Sequence, residues 1–84
     1  MTPKDYDLVL LQPIREAKTM RKVRARARAA RMKLHRHELA TGMYIGDAVD
    51  WYDRITETEQ EAARQAVYAE QFKHAPFTNK ENER

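Results

Sequence analysis

The stretch that decides the fold is RKVRARARAARMKLHRH, residues 21–37, which holds eight arginines and lysines and no acidic residue. Apolar residues recur at alternating steps of three and four, beginning one position before this stretch, at Met20, Val23, Ala27, Ala30 and Leu34. At about 100° per residue, this spacing places them in one narrow stripe of an α-helix. The Arg-Ala alternation is therefore helical, and its stripe of small residues predicts close packing against a neighbouring helix.

One position along from the stripe, a basic ridge repeats the same spacing. It consists of Arg21, Arg24, Arg28, Arg31 and His35, and three further cations flank the other side of the stripe, Lys22, Arg26 and Lys33. Arginine is always charged and presents a planar fork of donors that suits phosphate. Since a helix advances about 15 Å over ten residues, the ridge is long enough to meet several phosphates along one groove. We therefore predict that these residues bind nucleic acid or another anionic partner.

The charges of the chain are divided unevenly along its length. Residues 1–37 carry eleven Lys and Arg against three Asp and Glu, whereas residues 38–84 carry five against ten. Such asymmetry has two explanations, an external polyanion or partial neutralisation of one half by the other. The basic excess of the first part, +8, is larger than the acidic excess of the second, −5, so some basic potential should stay exposed. Like charges four residues apart also oppose helix formation. Because the sequence tolerates this repulsion, it favours a role in binding an anionic partner.

The remaining sequence predicts three shorter helices around a long helix over about residues 14–40. The first spans about residues 3–11, opens at Thr2 and Pro3, buries Leu8 and Leu11, and ends or kinks at Pro13. Gly42 supplies the left-handed residue that ends the long helix.

The third helix opens near Gly46 and Asp47. Its expected buried face is Ala48, Trp51, Tyr52 and Ile55. The fourth starts at TETEQE, residues 56–61, where two overlapping capping boxes occur, and Pro76 ends it. The expected fold is all-α, a small helical hairpin or bundle in residues 1–75 with a frayed polar tail over residues 76–84.

Composition limits the class of protein. At 84 residues the core is small, so a second subunit that supplies further core, a homodimer, is one expected partner. The chain has no cysteine, no apolar run near the ~20 residues of a membrane span and no signal-peptide pattern at its start. We therefore expect a cytoplasmic protein that does not engage a membrane.

Catalytic and metal-binding patterns are weak. Serine and cysteine are both missing and no phosphate-cradling glycine loop occurs, so we expect neither an enzyme nor a bound cofactor. Asp47, Asp50 and Asp53 share a helix edge without further converging ligands, and His35 and His37 point to different faces, so no metal site is expected.

Two aromatic residues are candidates for different roles. The spacing of Trp51 with Ala48 and Ile55 predicts core packing, whereas Tyr44, beside the turn glycines, is the better candidate for an exposed aromatic at the binding site. The sequence thus predicts a small non-enzymatic regulatory or accessory protein that binds DNA or RNA through its basic helix. The alternative is an inhibitor or modulator, for example a mobile-element-encoded accessory factor. It would bind the acidic surface of a nucleic-acid-processing enzyme through the same helix.

Overall fold

The computed structural model describes residues 5–74, with the side chains of residues 5–71. Its elements are a π-helical segment Asp7–Leu11, then α1 (Gln12–Arg15), α2 (Met20–Thr41) and α3 (Ile45–His74). This confirms the all-α fold, and residues 5–74 contain no strand. None of the helices in this range has the length and apolar character needed to cross a membrane. The expected cap at Thr2 and Pro3, the stop at Pro76 and the polar tail lie outside the described residues.

The first helix passes through Pro13 instead of ending there. The Gln12 N–H donates to the carbonyl of Asp7, five residues back, so the turn before Pro13 has π geometry. Pro13 itself lies in the first turn of α1, a helix position where proline is well tolerated. The expected burial of Leu8 is wrong, because its side chain is 64% exposed. The buried residues of this region are Tyr6, Leu10, Leu11 and Ile14.

The long basic helix begins at Met20 and not near residue 14. Thr19 is the extended N-cap residue (φ −130°, ψ 156°), and its side-chain oxygen accepts a hydrogen bond from the Lys22 N–H at 3.2 Å. This cap satisfies one of the free N–H groups at the helix start and separates α2 from α1. The predicted stop is confirmed, because Gly42 has φ 66° and its N–H donates to the Glu38 carbonyl at 3.0 Å.

The predicted third and fourth helices form one continuous helix, α3. Thr56 and Thr58, read from the sequence as capping residues, lie in its interior. A capping box is a local signal, whereas the buried face continues in register across it, at Ala48, Ile55 and Ala62, seven positions apart. Continuous packing keeps the helix unbroken, so α3 is longer than the arginine-rich helix.

The two long helices form an antiparallel hairpin, since Glu38 meets Tyr52 near the turn and Arg31 meets Glu59 farther from it. The predicted stripe on α2 is confirmed, with Val23, Ala27, Ala30 and Leu34 all buried. It packs on Ile55, Ala62 and Ala66 of α3 and on the N-terminal residues Leu10 and Ile14 in one core. Because the chain itself covers the stripe, the stripe is not available as a dimer seam, and a homodimer would have to use another surface.

Aromatic contacts fix the N-terminal residues onto the hairpin. The Tyr6 hydroxyl lies 2.6 Å from Nε2 of His37, and the Tyr6 ring meets Trp51 edge-on at 5.1 Å between centroids. Trp51 is half-buried against the core, which confirms its predicted packing role. Arg54 covers its outer side, with the guanidinium carbon 4.7 Å from the ring centroid. The face of α2 opposite its buried stripe, with Ala25, Ala29 and Met32, is exposed.

Candidate nucleic-acid interface

Most cations of α2 point into solvent. Six of its eight arginines and lysines are exposed and form no hydrogen bond or ion pair with any other described residue. We call this set the free cations: Arg21, Lys22, Arg24, Arg28, Lys33 and Arg36. Within it, Arg21, Arg24 and Arg28 border one shallow depression floored by Met20 and Ala25. The free cations therefore form an uncompensated basic surface.

Two predicted site residues have partners inside the fold. Arg26 donates from Nη1 to the Pro13 carbonyl at 2.9 Å, and Arg31 donates from Nη2 to Glu59 Oε1 at 2.7 Å and to Thr56 Oγ1 at 3.2 Å. Both arginines are partly buried. Arg26 thus joins α2 to the N-terminal helical residues and Arg31 joins α2 to α3, so both have a role in the fold, and their role in binding stays a prediction.

His35 and Tyr44 lie at the turn end of α2. The exposed His35 ring has Nδ1 3.9 Å from Glu38 Oε1, an ion pair only when the ring is protonated. Tyr44 is 74% exposed, which confirms its predicted exposure. Its ring lies against Gly46, where an added Cβ would come within 2.5 Å of Tyr44 Cε2. His35 therefore continues the row of Arg21, Arg24 and Arg28 among the free cations, whereas Tyr44 lies beyond the end of α2 and borders the basic surface.

Arg36 is the free cation that the sequence analysis left out. It lies three positions after Lys33 on the same exposed flank of α2. The i, i+3 spacing from Lys33 was the available signal, because residues three apart share a helix face.

Most exposed acidic residues of α3 lie on the part of that helix turned away from α2. Its side toward α2 is marked by Tyr52, Thr56 and Glu59, which contact Glu38 and Arg31. Exposed carboxylates occupy other positions of the helix, at Asp47, Asp50, Asp53, Glu57 and Glu61, whereas the exposed Glu70 shares the face of Tyr52, five turns farther along. Asp50 pairs with Arg54 of the same helix at 3.1 Å, and within residues 5–71 Arg31–Glu59 is the ion pair that joins α2 to α3. Internal neutralisation of the basic helix is thus limited in the part of the chain described, and no three of its acidic or histidine residues form a metal-binding group.

The pKa of Tyr52 is raised at the junction of the two long helices. Burial of the phenol is the main cause, followed by the charge of Glu38 and its contact with the hydroxyl, Oη to Oε1, at 3.5 Å. All three effects disfavour the phenolate. The neutral Tyr52 hydroxyl donates to Glu38, so this carboxylate of α2 is engaged on the side toward α3.

Comparison of the chain with protein-family models, with curated proteins and with solved structures gave no match. The evidence for a function is therefore the chemistry of this surface. The six free cations on the exposed side of α2 attract phosphates, carboxylates and other anions.

Proposed function

We propose that this chain is a small non-enzymatic regulatory or accessory protein of the cytoplasm that binds nucleic acid through the outer face of α2. The observation that carries the proposal is the set of six free cations on one exposed helix face. A cation that only kept the chain soluble would be stabilised by pairing with a carboxylate of α3. None of the six exposed acidic residues of that helix among the described side chains pairs with a cation of α2.

The size of the surface suits a polyanion. From Arg21 to Arg36 the helix advances by about 22 Å, a length that spans several consecutive phosphates of one strand. Each phosphate contact releases condensed counterions, so affinity should fall steeply with salt. The placement of acidic residues on a different helix favours approach of a polyanion from the α2 side.

The test is a mobility-shift or anisotropy titration of duplex DNA and of RNA across a salt series. Arg24→Ala and Arg28→Ala should each lower the slope of log affinity against log salt by about one, with a similar loss for unrelated sequences. Arg64→Ala is the matched control, because Arg64 is an exposed arginine on α3. It should leave the slope unchanged, and circular dichroism should give the same helix content for all three variants.

A second candidate is a modulator that binds the acidic surface of a nucleic-acid-processing enzyme. It is favoured by four large apolar side chains that stay exposed around the α2–α3 turn, Leu39, Tyr44, Ile45 and Val49. Exposed apolar groups beside a basic helix suit a protein surface better than phosphates. Absence of nucleic-acid binding at low salt, together with capture of an enzyme that is lost on Arg24→Glu and regained by a charge swap on that enzyme, would select this candidate.

A further inference from the structure

We infer that α2 enters the major groove of duplex DNA, with its free cations on the phosphates of both strands. The inference rests on the proposed nucleic-acid binding and names the form of nucleic acid. It comes from the way in which the six charges are distributed around the helix, which the count of charges alone does not express.

The free cations form two rows. At 3.6 residues per turn, Arg21, Arg24 and Arg28 lie on the flank of α2 nearer to α3, the side from which Arg31 reaches Glu59. Lys22, Lys33 and Arg36 lie about 120° farther around the helix, on the flank nearer to the N-terminal helical residues. We call these the α3-side row and the N-side row.

Small or apolar residues separate the two rows. Ala25 and Met32 lie between them, on the side of α2 opposite the buried stripe, and both are exposed. We call these two residues the leading edge. The outermost part of the helix is therefore narrow and uncharged, and the charges stand to either side of it.

This arrangement matches the major groove of B-form DNA. That groove is about 12 Å wide and admits an α-helix, and the phosphates of the two strands line its opposite walls. A narrow leading edge with a cationic row on each side would reach both walls at once. The major groove of A-form RNA is deep and too narrow for side chains to read, so an RNA duplex has no groove that would accept α2 in this way.

The rest of the fold leaves this approach open. The N-terminal residues and α3 pack on the stripe side of α2, through Leu10, Ile14, Ile55 and Ala62, so no described residue covers the leading edge. The exposed carboxylates Asp50, Glu57 and Glu61 lie on the part of α3 turned away from α2. Phosphates would consequently meet positive charge first.

The leading edge also determines what can be recognised. Alanine and methionine side chains carry no hydrogen-bond donor for a base edge, and their available contact is apolar, as with the thymine methyl group. We therefore expect affinity to depend weakly on sequence, with a modest preference for thymine-containing sites.

The test compares one 16-base-pair duplex DNA with the RNA duplex and the single-stranded DNA of the same sequence, by fluorescence anisotropy over a salt series. We expect the DNA duplex to bind at least about tenfold more tightly than the RNA duplex. Removal of either row, as R21A/R24A/R28A or K22A/K33A/R36A, should lower the salt slope by about three, and Arg64→Ala should not change it. Circular dichroism of each variant checks that α2 is intact.

Dimethyl sulfate footprinting supplies the groove assignment, because guanine N7 lies in the major groove and adenine N3 in the minor groove. Protection of N7 with N3 still reactive is the expected result. Equal affinity for all three nucleic acids, or N7 that stays reactive in the complex, would overturn the groove inference while leaving nucleic-acid binding in place. No binding of any of them at low salt would overturn the proposed function as well.

Discussion

The alanines of α2 lie at two kinds of position, buried ones where a larger side chain does not fit and exposed ones where it does. Ala27 and Ala30 are at most 2% exposed, at the contact with α3, whereas Ala25 and Ala29 face solvent on the same helix. Leucine at either buried position adds volume that the close-packed helices must move apart to accept.

We expect Ala27→Leu and Ala30→Leu each to lower the free energy of unfolding by more than about 1 kcal/mol, measured by urea denaturation. Ala25→Leu and Ala29→Leu are the matched controls and should change it by less than about 0.5 kcal/mol. Equal tolerance at all four positions would mean that the alanine stripe is not the seam between α2 and α3.

The raised pKa of Tyr52 predicts a stability change at alkaline pH. The folded chain holds the phenol proton more tightly than the unfolded chain does, because of burial and of Glu38. The stability that this proton supplies is present below the unfolded pKa of about 10 and is lost as pH rises through the folded pKa. The melting temperature of Tyr52→Phe should therefore fall less than that of the wild type between pH 9 and 11. Tyr44→Phe, at an exposed position, should follow the wild type.

At the scale of the helices, the two glycines of the α2–α3 turn, Gly42 at the end of α2 and Gly46 at the start of α3, should respond oppositely to alanine. Gly42 has φ 66°, a region that alanine adopts only with strain, although no atom lies within 4 Å of an added Cβ. Gly46 is helical, and its Cβ would meet only the end of the exposed Tyr44 ring, which can rotate away.

Gly42→Ala should therefore lower the melting temperature by an amount equivalent to about 1 kcal/mol. Gly46→Ala should leave it unchanged or raise it, because alanine favours helix by up to about 1 kcal/mol over glycine. Differential scanning calorimetry gives the melting temperature of each variant. A similar decrease in melting temperature in both would contradict the geometry described for this turn.

The helices show which sequence signals were sufficient and which were not. The stripe on α2 and the stop at Gly42 were predictable, because periodicity and left-handed glycine are both properties of a few neighbouring residues. The local capping boxes predict a break that α3 does not have. The regular recurrence of Ala48, Ile55 and Ala62 across them is the signal that indicates one continuous helix. The start of α2 required recognition of a lone threonine cap at Thr19, with no glutamate three positions on.

The candidate site was predictable to a similar degree. Five of the six free cations follow from charge and helical spacing, and Arg36 was available by the same logic. The separate role of Arg26 and Arg31 was not, because their partners lie 13 and 28 positions away along the chain. Contacts at such distances depend on how the helices pack, which the local pattern does not specify.

The whole molecule uses its apolar seam internally. The stripe of α2 is covered by α3 and the N-terminal residues, so a second copy has no unfilled seam of small residues to enter. We therefore expect sedimentation equilibrium at micromolar concentration and 0.15 M salt to give the monomer mass of 9.9 kDa. A stable mass of twice that value would show that another surface, such as the exposed apolar residues around the turn, joins two copies.

The single ion pair that links the long helices, Arg31–Glu59, leaves the opposite charges of the described residues at opposite sides of the molecule. The described residues thus form an electric dipole, although the formal net charge of the chain is only +3. Ion-exchange resins bind the charged surface that contacts them and respond less to the net charge of a protein. Near pH 7 and at low ionic strength, this protein should therefore be retained by cation and anion exchangers alike. The same dipole would turn the molecule in the field of an approaching polyelectrolyte before any contact forms, which presents α2 first and shortens the search for a productive encounter.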